Sequence, residues 1–270
     1  MRFSKNNSTI VKNNILLFSI CFILFFGSFI PLDRAENKID VIVIDAGHGG
    51  KDPGTHGQIS KEKKVALEIA LKLGATIEEY LEGVRVIYTR NNDSFLELYQ
   101  RAELANRNNA DLFVSIHCNW VGNPRVHGTE TYVMGLHKSE SNMQVAKREN
   151  EAILFEDNYQ ENYEGFDPNS PESAILFSLY QDAYLENSLK LAERIETQFS
   201  KRAGRRSRGV KQAGFAVLWR TSMPSVLVET GYLSNQKEEK ELNKELIQEY
   251  IASGIFRAVR DYKEEIESRN

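Results

Sequence analysis

The chain has almost no cysteine. Of its 270 residues only Cys21 and Cys118 are Cys, and Cys21 falls in a leading apolar segment, so the remainder carries one thiol and no intramolecular disulfide. Stability must therefore come from a buried core, which 41% hydrophobic content over this length can supply. Excess positive charge is also missing. Beyond residue 35 the chain holds 30 basic residues against 37 acidic ones, a net charge of -7 that argues against nucleic acid as a partner. There is no HExxH, no short His-x-His pair, no internal repeat and no low-complexity segment. A phosphate-binding loop is excluded as well: in "GHGGKDPG" Lys51 is followed by Asp52 rather than Ser or Thr, and that carboxylate would repel phosphate.

One long hydrophobic run is present. Arg2, Lys5 and Lys12 precede "ILLFSICFILFFGSFIPL", residues 15–32, which carries no charge. Residues 1–35 read as an export signal, cleaved or kept as an anchor in the inner membrane, which places the protein in the periplasm or cell envelope. "FSIC" is a poor lipidation site. Residues 36–270 read as one domain.

From residue 39 strands and helices alternate. "IDVIVID" and "VRVIYTR" are apolar strands, and between them residues 61–83 carry Val65, Ile69, Leu73 and Ile77 at helical spacing. "LELYQRAELANRNN" is a second helix and "DLFVSIH" a third strand, followed by "GTETYVM". The pattern predicts an α/β fold, a mostly parallel central sheet with helices on both faces. Residues 137–187 break it and read as a helical insertion after the fourth strand, with helices at 140–156 and from 172 and the loop "YEGFDPNSPES" between them. A long helix over 179–199, a basic loop "KRAGRRSRGVK", strands "GFAVLW" and "PSVLVET", and one helix over about 237–266 complete the domain.

Three apolar strands run into metal-capable residues: "VIVID" into His48, "LFVSI" into His117 and "SVLV" into Glu229. In open parallel sheets the ligand site lies beyond the carboxyl ends of the strands, so these side chains are expected to meet at one edge. Two imidazoles and a carboxylate with a free fourth position make a catalytic zinc site, where a water's pKa falls to about 7. Glu62, opening the first helix just after the His48 loop, is the candidate third ligand, and Glu229 is then the general base. The glycines around His48 let the backbone fold tightly beside the metal. On spacing alone the alternative is a coincidence of polar strand ends.

"IDAGHGGKDPG", Glu62 in "SKEKKVALEIA", "TRNND" with "RAELAN", "ADLFVSIHCN" and "PSVLVETGYLSN" together resemble the zinc-dependent N-acetylmuramoyl-L-alanine amidases of bacterial cell-wall remodelling, over about residues 39–266. The resemblance implies one zinc ion per chain on His48, Glu62 and His117, with Glu229 catalytic. It also implies hydrolysis of the amide joining N-acetylmuramic acid to the L-alanine of the peptidoglycan stem. Trp120 departs from the family, which usually has a small residue after "HCN". Division-associated members, which act in daughter-cell separation, carry an inserted helix that covers the zinc until an activator with a degenerate peptidase-like domain withdraws it. "SNMQVAKRENEAILFED", residues 141–157, occupies that place and offers Glu149, Glu151 and Glu156, of which Glu151 is the favoured zinc plug.

Other polar residues have plainer readings. Asp45 and Asp111 are candidates to orient the imidazoles, Asp111 more naturally capping a strand start. Asn119 binds substrate amides or ends its strand. His56, His127 and His137 are surface residues, Cys118 is a small buried hydrophobe, and Arg90 and Arg101 make structural ion pairs. Lys201, Arg202, Arg205, Arg206, Arg208 and Lys211 form a solvated basic loop or grip stem-peptide carboxylates. Two alternatives to the amidase remain: another zinc hydrolase of peptidoglycan, a carboxypeptidase or deacetylase, and a non-catalytic wall-binding protein.

Overall fold

The computed structural model describes residues 38–136, 138–163 and 184–268. The expected export signal, His137, the loop beyond Tyr163 and the helix from 172 lie outside them. Residues from Ile39 onward form one compact unit.

The elements run in the order β1 (Val41–Ala46), α1 (Glu62–Tyr80), β2 (Arg85–Tyr88), α2 (Leu98–Arg107), β3 (Leu112–Asn119), β4 (Thr129–Met134), α3 (Glu140–Asn150), a 3-10 turn (Glu151–Phe155), α4 (Tyr159–Asn162), α5 (Leu185–Lys201), β5 (Ser207–Ala213), α6 (Ala216–Trp219), β6 (Ser225–Tyr232), α7 (Gln236–Leu242) and α8 (Glu245–Glu267). The sheet order is β2-β1-β3-β6-β4-β5. β1 pairs in parallel with both β2 and β3, and β3 with β6, whereas β4 runs antiparallel to β6 and parallel to β5.

β3 and β6 are buried along their whole length, which is why they read as apolar runs rather than alternating ones. Ile42 and Ile44 face a core shared with Val65, Ile69 and Leu73 of α1, Ile195 and Phe199 of α5, and Ile255 and Val259 of α8. Val43, Phe113 and Leu227 face a second core with Leu98 of α2, Ile153 of the 3-10 turn, and Phe215 and Leu218. Each such aliphatic side chain contributes about 1.5–3 kcal/mol on burial. His117 and Glu229 are partners in the β3–β6 register, and Phe113 and Leu227 precede them by an even number of residues. The alternation of side chains along a strand therefore turns both acidic and imidazole groups to the α2 and α3 side.

Three expectations are corrected. "GFAVLW" is not a strand: Ala216–Trp219 is a short helix whose Ala216, Val217 and Leu218 pack into the second core. The strand lies earlier, within the expected basic loop, where Ser207–Ala213 forms the edge of the sheet. An edge strand tolerates long cationic side chains because one side faces water, and this masks its pattern. The last helix is two, α7 and α8, interrupted at Asn243 and Lys244.

The insertion is fastened at several points. Asn150 Nδ2 donates to the Gly214 carbonyl at 2.8 Å, and Ala216 N donates to Asn150 Oδ1 at 2.8 Å. Glu156 is buried and accepts Leu98 N at 2.6 Å, capping α2, and also accepts the Tyr163 hydroxyl at 2.9 Å. Burial outweighs those donors and pushes its carboxyl up to about 7. A carboxyl whose pKa is raised by folding binds more protons folded than unfolded, so its contribution to stability falls as pH rises from the ordinary carboxylate range through about 7. Melting temperatures measured across that window should fall more steeply for the native protein than for Glu156→Gln; parallel curves would refute the assignment.

Candidate metal centre

Glu62, His48 and His117 come from three separate elements. Glu62 is the first residue of α1, where the helix N-terminus favours a carboxylate. Its Oε1 accepts Cys118 N at 2.9 Å and its Oε2 accepts Thr55 N at 2.8 Å, so the carboxylate bridges the end of β3 and the loop after β1. That loop is tight. His48 adopts φ 61° and Gly54 φ 65°. A Cβ on Gly54 would lie 2.6 Å from the His48 ring and 2.7 Å from Glu62, and one on Gly47 would lie 2.5 Å from the His117 ring. Only glycine fits where backbone approaches the two imidazoles this closely.

Two buried arginines hold the loop by its carbonyl oxygens. Arg101 donates to Ala46 at 3.0 Å and His48 at 2.9 Å, and Arg90 donates to Ala46 at 2.9 Å and Gly47 at 2.6 Å. Arg101 also pairs with Asp45 at 2.9 Å, whereas Arg90 serves backbone carbonyls. Asp45 accepts from Arg101, Thr89 and Ser115 and touches neither imidazole, so its expected role as an imidazole acceptor is corrected. Asp52 takes that place: its Oδ2 lies 2.7 Å from His48 Nδ1. This fixes the ring and leaves Nε2 for a ligand. An acid four residues after a loop histidine was the available sequence signal. Asp111 accepts Asp40 N and Val41 N at the start of β1.

His48, Glu62, His117 and Glu149 each offer one ligand atom, and these lie within 4.8 Å of one another, all buried. Glu149 Oε2 is 3.2 Å from His48 Nε2 and 3.0 Å from His117 Nδ1. Yet His48 Nε2 and both Glu149 oxygens have no properly directed hydrogen bond among the described residues. Buried polar atoms that converge without bonding one another fit a cation between them, and two imidazole nitrogens with carboxylate oxygens match the tetrahedral preference of zinc. The electrostatics agree. Burial opposes charge on both imidazoles, but the Glu62 charge, the hydrogen bond to Asp52 and the nearby Glu149 carboxylate raise His48 well above its usual range, and the Glu149 and Glu62 carboxylates raise His117 to about 9. Glu62 is held well below the usual carboxylate range by the same imidazoles despite its burial.

Glu149, not Glu151, faces the cluster. Asn142, Val145, Ala146 and Glu149 form the buried face of α3, and the helix ends at Asn150, so Glu151 starts the 3-10 turn, exposed on the wall of the adjacent cavity and outside the cluster. Glu156 caps α2 instead, as above. Beside the cluster a cavity of about 250 Å³ is lined by His48, Asp52, Thr55, Arg148, Glu149 and Phe155.

Glu229 is fully buried, and neither of its oxygens has a hydrogen-bond partner among the described residues. Burial, then the charges of Glu149 and Glu62, push its carboxyl well above the usual range. Asn119 is also fully buried; its Oδ1 accepts Arg148 Nη2 at 2.9 Å and its Nδ2 donates to Glu130 at 3.3 Å. Glu130, which no motif in the sequence marks, accepts from Arg208, Lys211, Tyr132 and Tyr232. Arg208 and Lys211 are thus tied to Glu130, and Arg205 to Glu238, rather than free in a solvated loop. His56 and His127 are exposed. Cys118 is buried in the first core, its thiol pushed up by burial.

The family of N-acetylmuramoyl-L-alanine amidases matches residues 42–261. This chain belongs to that family. It is 35% identical over 235 residues to N-acetylmuramoyl-L-alanine amidase AmiA of Escherichia coli, covering 86% of this chain and 79% of the relative. It is similar to the solved structure of amidase AmiC2 of Nostoc punctiforme, with TM-score 0.60 and 32% identity over 82% of this chain and 96% of that one. The catalytic domain of CwlV from Bacillus (Paenibacillus) polymyxa gives TM-score 0.59 at 31% identity, covering 83% and 98%. The protein is a zinc-dependent amidase that cleaves the bond between N-acetylmuramic acid and L-alanine in peptidoglycan.

Replacing Asp52 by Ala should weaken zinc binding by about 10–100-fold, measured by chelator competition, because the ring of His48 loses its acceptor. Unchanged affinity would remove Asp52 from the site.

Proposed function

We propose that His48, Glu62 and His117 hold a single zinc ion, that Glu229 carries the proton, and that Glu149 closes the remaining position until α3 is drawn away. When bound, zinc polarises the scissile carbonyl and acidifies a water. His48 is oriented for this by Asp52, and Glu62 by the N–H groups of Thr55 and Cys118. Glu229 stands beside His117 in the strand register, facing the reacting atoms from the sheet. With Glu149 in place, the Glu229 carboxyl is pushed toward its protonated form. Withdrawal of Glu149 removes one like charge, so Glu229 becomes able to take a proton from the attacking water and return it to the departing L-alanine amine.

The observation that carries this reading is the placement of Glu149 within the same 4.8 Å cluster as the three expected ligands. It supports an autoinhibited enzyme, whose insertion is the natural target of an activator with a degenerate peptidase-like domain. Export to the cell envelope, through the apolar run at residues 15–32, suits the peptidoglycan substrate.

Peptidoglycan digestion by the zinc-loaded protein from Glu36 onward, with products identified by mass spectrometry, tests both parts. Glu149→Ala should release intact stem peptides at least about tenfold faster than the native chain, as expected if a carboxylate that blocks the site is removed. Glu229→Gln in that background should lower release by about 10²–10⁴-fold with zinc retained, the range for a general base. Shortened rather than intact stems would point to a carboxypeptidase, and equal rates for native and Glu149→Ala would remove the autoinhibition.

A further inference from the structure

Arg148, the neighbour of Glu149, spends its guanidinium on one side of the site. Nη1 donates to the Trp120 carbonyl at 2.9 Å, Nη2 donates to Asn119 Oδ1 at 2.9 Å, and Nε lies 3.3 Å from Glu149 Oε1. A single planar cation therefore spans the distance from the carboxylate in the metal cluster to two acceptors at the end of β3. The Asn119 oxygen does not depend on Arg148 for its position. It accepts Trp120 N at 2.7 Å, and the same side chain donates to Glu130, itself fixed by Tyr132, Tyr232, Arg208 and Lys211.

Arg148 and Glu149 are consecutive on one helix, so a movement that withdraws the carboxylate also withdraws the guanidinium. Both acceptors then lose a donor together: Asn119 Oδ1 keeps only the N–H of Trp120, and the carbonyl of the exposed Trp120 is freed on the open side of the site. The substrate brings suitable donors. The leaving side of the scissile amide is a peptide, and its backbone N–H groups are obligatory donors.

We propose that Asn119 Oδ1 and the Trp120 carbonyl bind backbone N–H groups of the stem peptide, and that Arg148 occupies their place in the closed form. Asn119 is then a positioning residue for the leaving peptide, and α3 imitates substrate at two points, with the Glu149 carboxylate in place of the scissile carbonyl and the Arg148 guanidinium in place of the peptide donors. This inference rests on the closed-state reading of Glu149.

Calorimetric titration of a synthetic stem tripeptide beginning with L-alanine into the zinc-loaded protein tests it. The Arg148→Ala, Glu149→Ala double variant should bind the tripeptide at least about tenfold more tightly than the native chain, and adding Asn119→Ala should forfeit about tenfold, with zinc content unchanged. On a soluble muropeptide the same addition should raise KM while kcat stays within about twofold, a split that a merely structural role would not give. Tripeptides N-methylated at one peptide nitrogen or the other remove a donor without altering the protein, and at least one should bind the double variant about tenfold more weakly. Indifference to both methylations, or no tripeptide binding by the double variant, overturns the proposal. A double variant no more active than the native chain would instead overturn the autoinhibition, while the methylated peptides still report on Asn119 and Trp120.

Discussion

Three carboxylates, Glu62, Glu149 and Glu229, are buried around two imidazoles, and the site depends on how that charge is balanced. Removing a carboxylate from water costs several kcal/mol unless a positive charge offsets it. Protons on His48 and His117 can supply that charge, and so can a divalent cation, which suits a cluster where His117 bonds Glu62 while His48 Nε2 and both Glu149 oxygens are left without a directed hydrogen bond among the described residues. Glu229 stands outside this balance. It receives the repulsion of the other two acids without a hydrogen bond among the described residues, so its basicity is tuned by whichever group fills the neighbouring position. In the proposed mechanism this one like-charge interaction connects regulation and catalysis.

The positions of these groups are set by a less conspicuous network. The loop carrying His48 contains four glycines between residues 47 and 54 and would be loose by itself. Arg90 and Arg101 bind its carbonyl oxygens at residues 46 to 48, and Asp45 anchors Arg101 in turn. On the other side of Glu229, Glu130 gathers two cations and two tyrosine hydroxyls and steadies Asn119. Flexible backbone allows the close approach to the metal site, and buried arginines remove the freedom that approach would otherwise bring.

The insertion follows the same physics with a weaker hold. α3 buries Val145 and Ala146, small side chains, beside the polar Asn142 and Glu149. Its grip comes largely from polar contacts at its ends, through Asn142, Asn150 and Arg148, and from Glu156 beyond the 3-10 turn. A segment held in this way can separate at lower cost than a helix of the main core, such as α1 with Val65, Ile69 and Leu73.

Much of this was legible in the chain itself. Uninterrupted apolar runs identified β1, β3 and β6 because strands buried on both faces need no alternation, and residues that abruptly change chemistry at strand ends, His48, His117 and Glu229, marked the edge where the site forms. Edge strand β5 was not legible, because its cations, Arg208 and Lys211, read as solvated until Glu130 is placed against them. Which glutamate faces the cluster was decided by helix phase: Glu149 shares a face with Asn142, Val145 and Ala146, whereas Glu151 begins a different turn, and a shift of two residues reverses direction on a helix. Asp45 was the expected imidazole partner, although Asp52 is about as near to His48 along the chain. Only the folded loop, with Asp45 bound to Arg101 and Asp52 against His48, separates them, because local sequence states which groups are available and tertiary packing decides which of them meet.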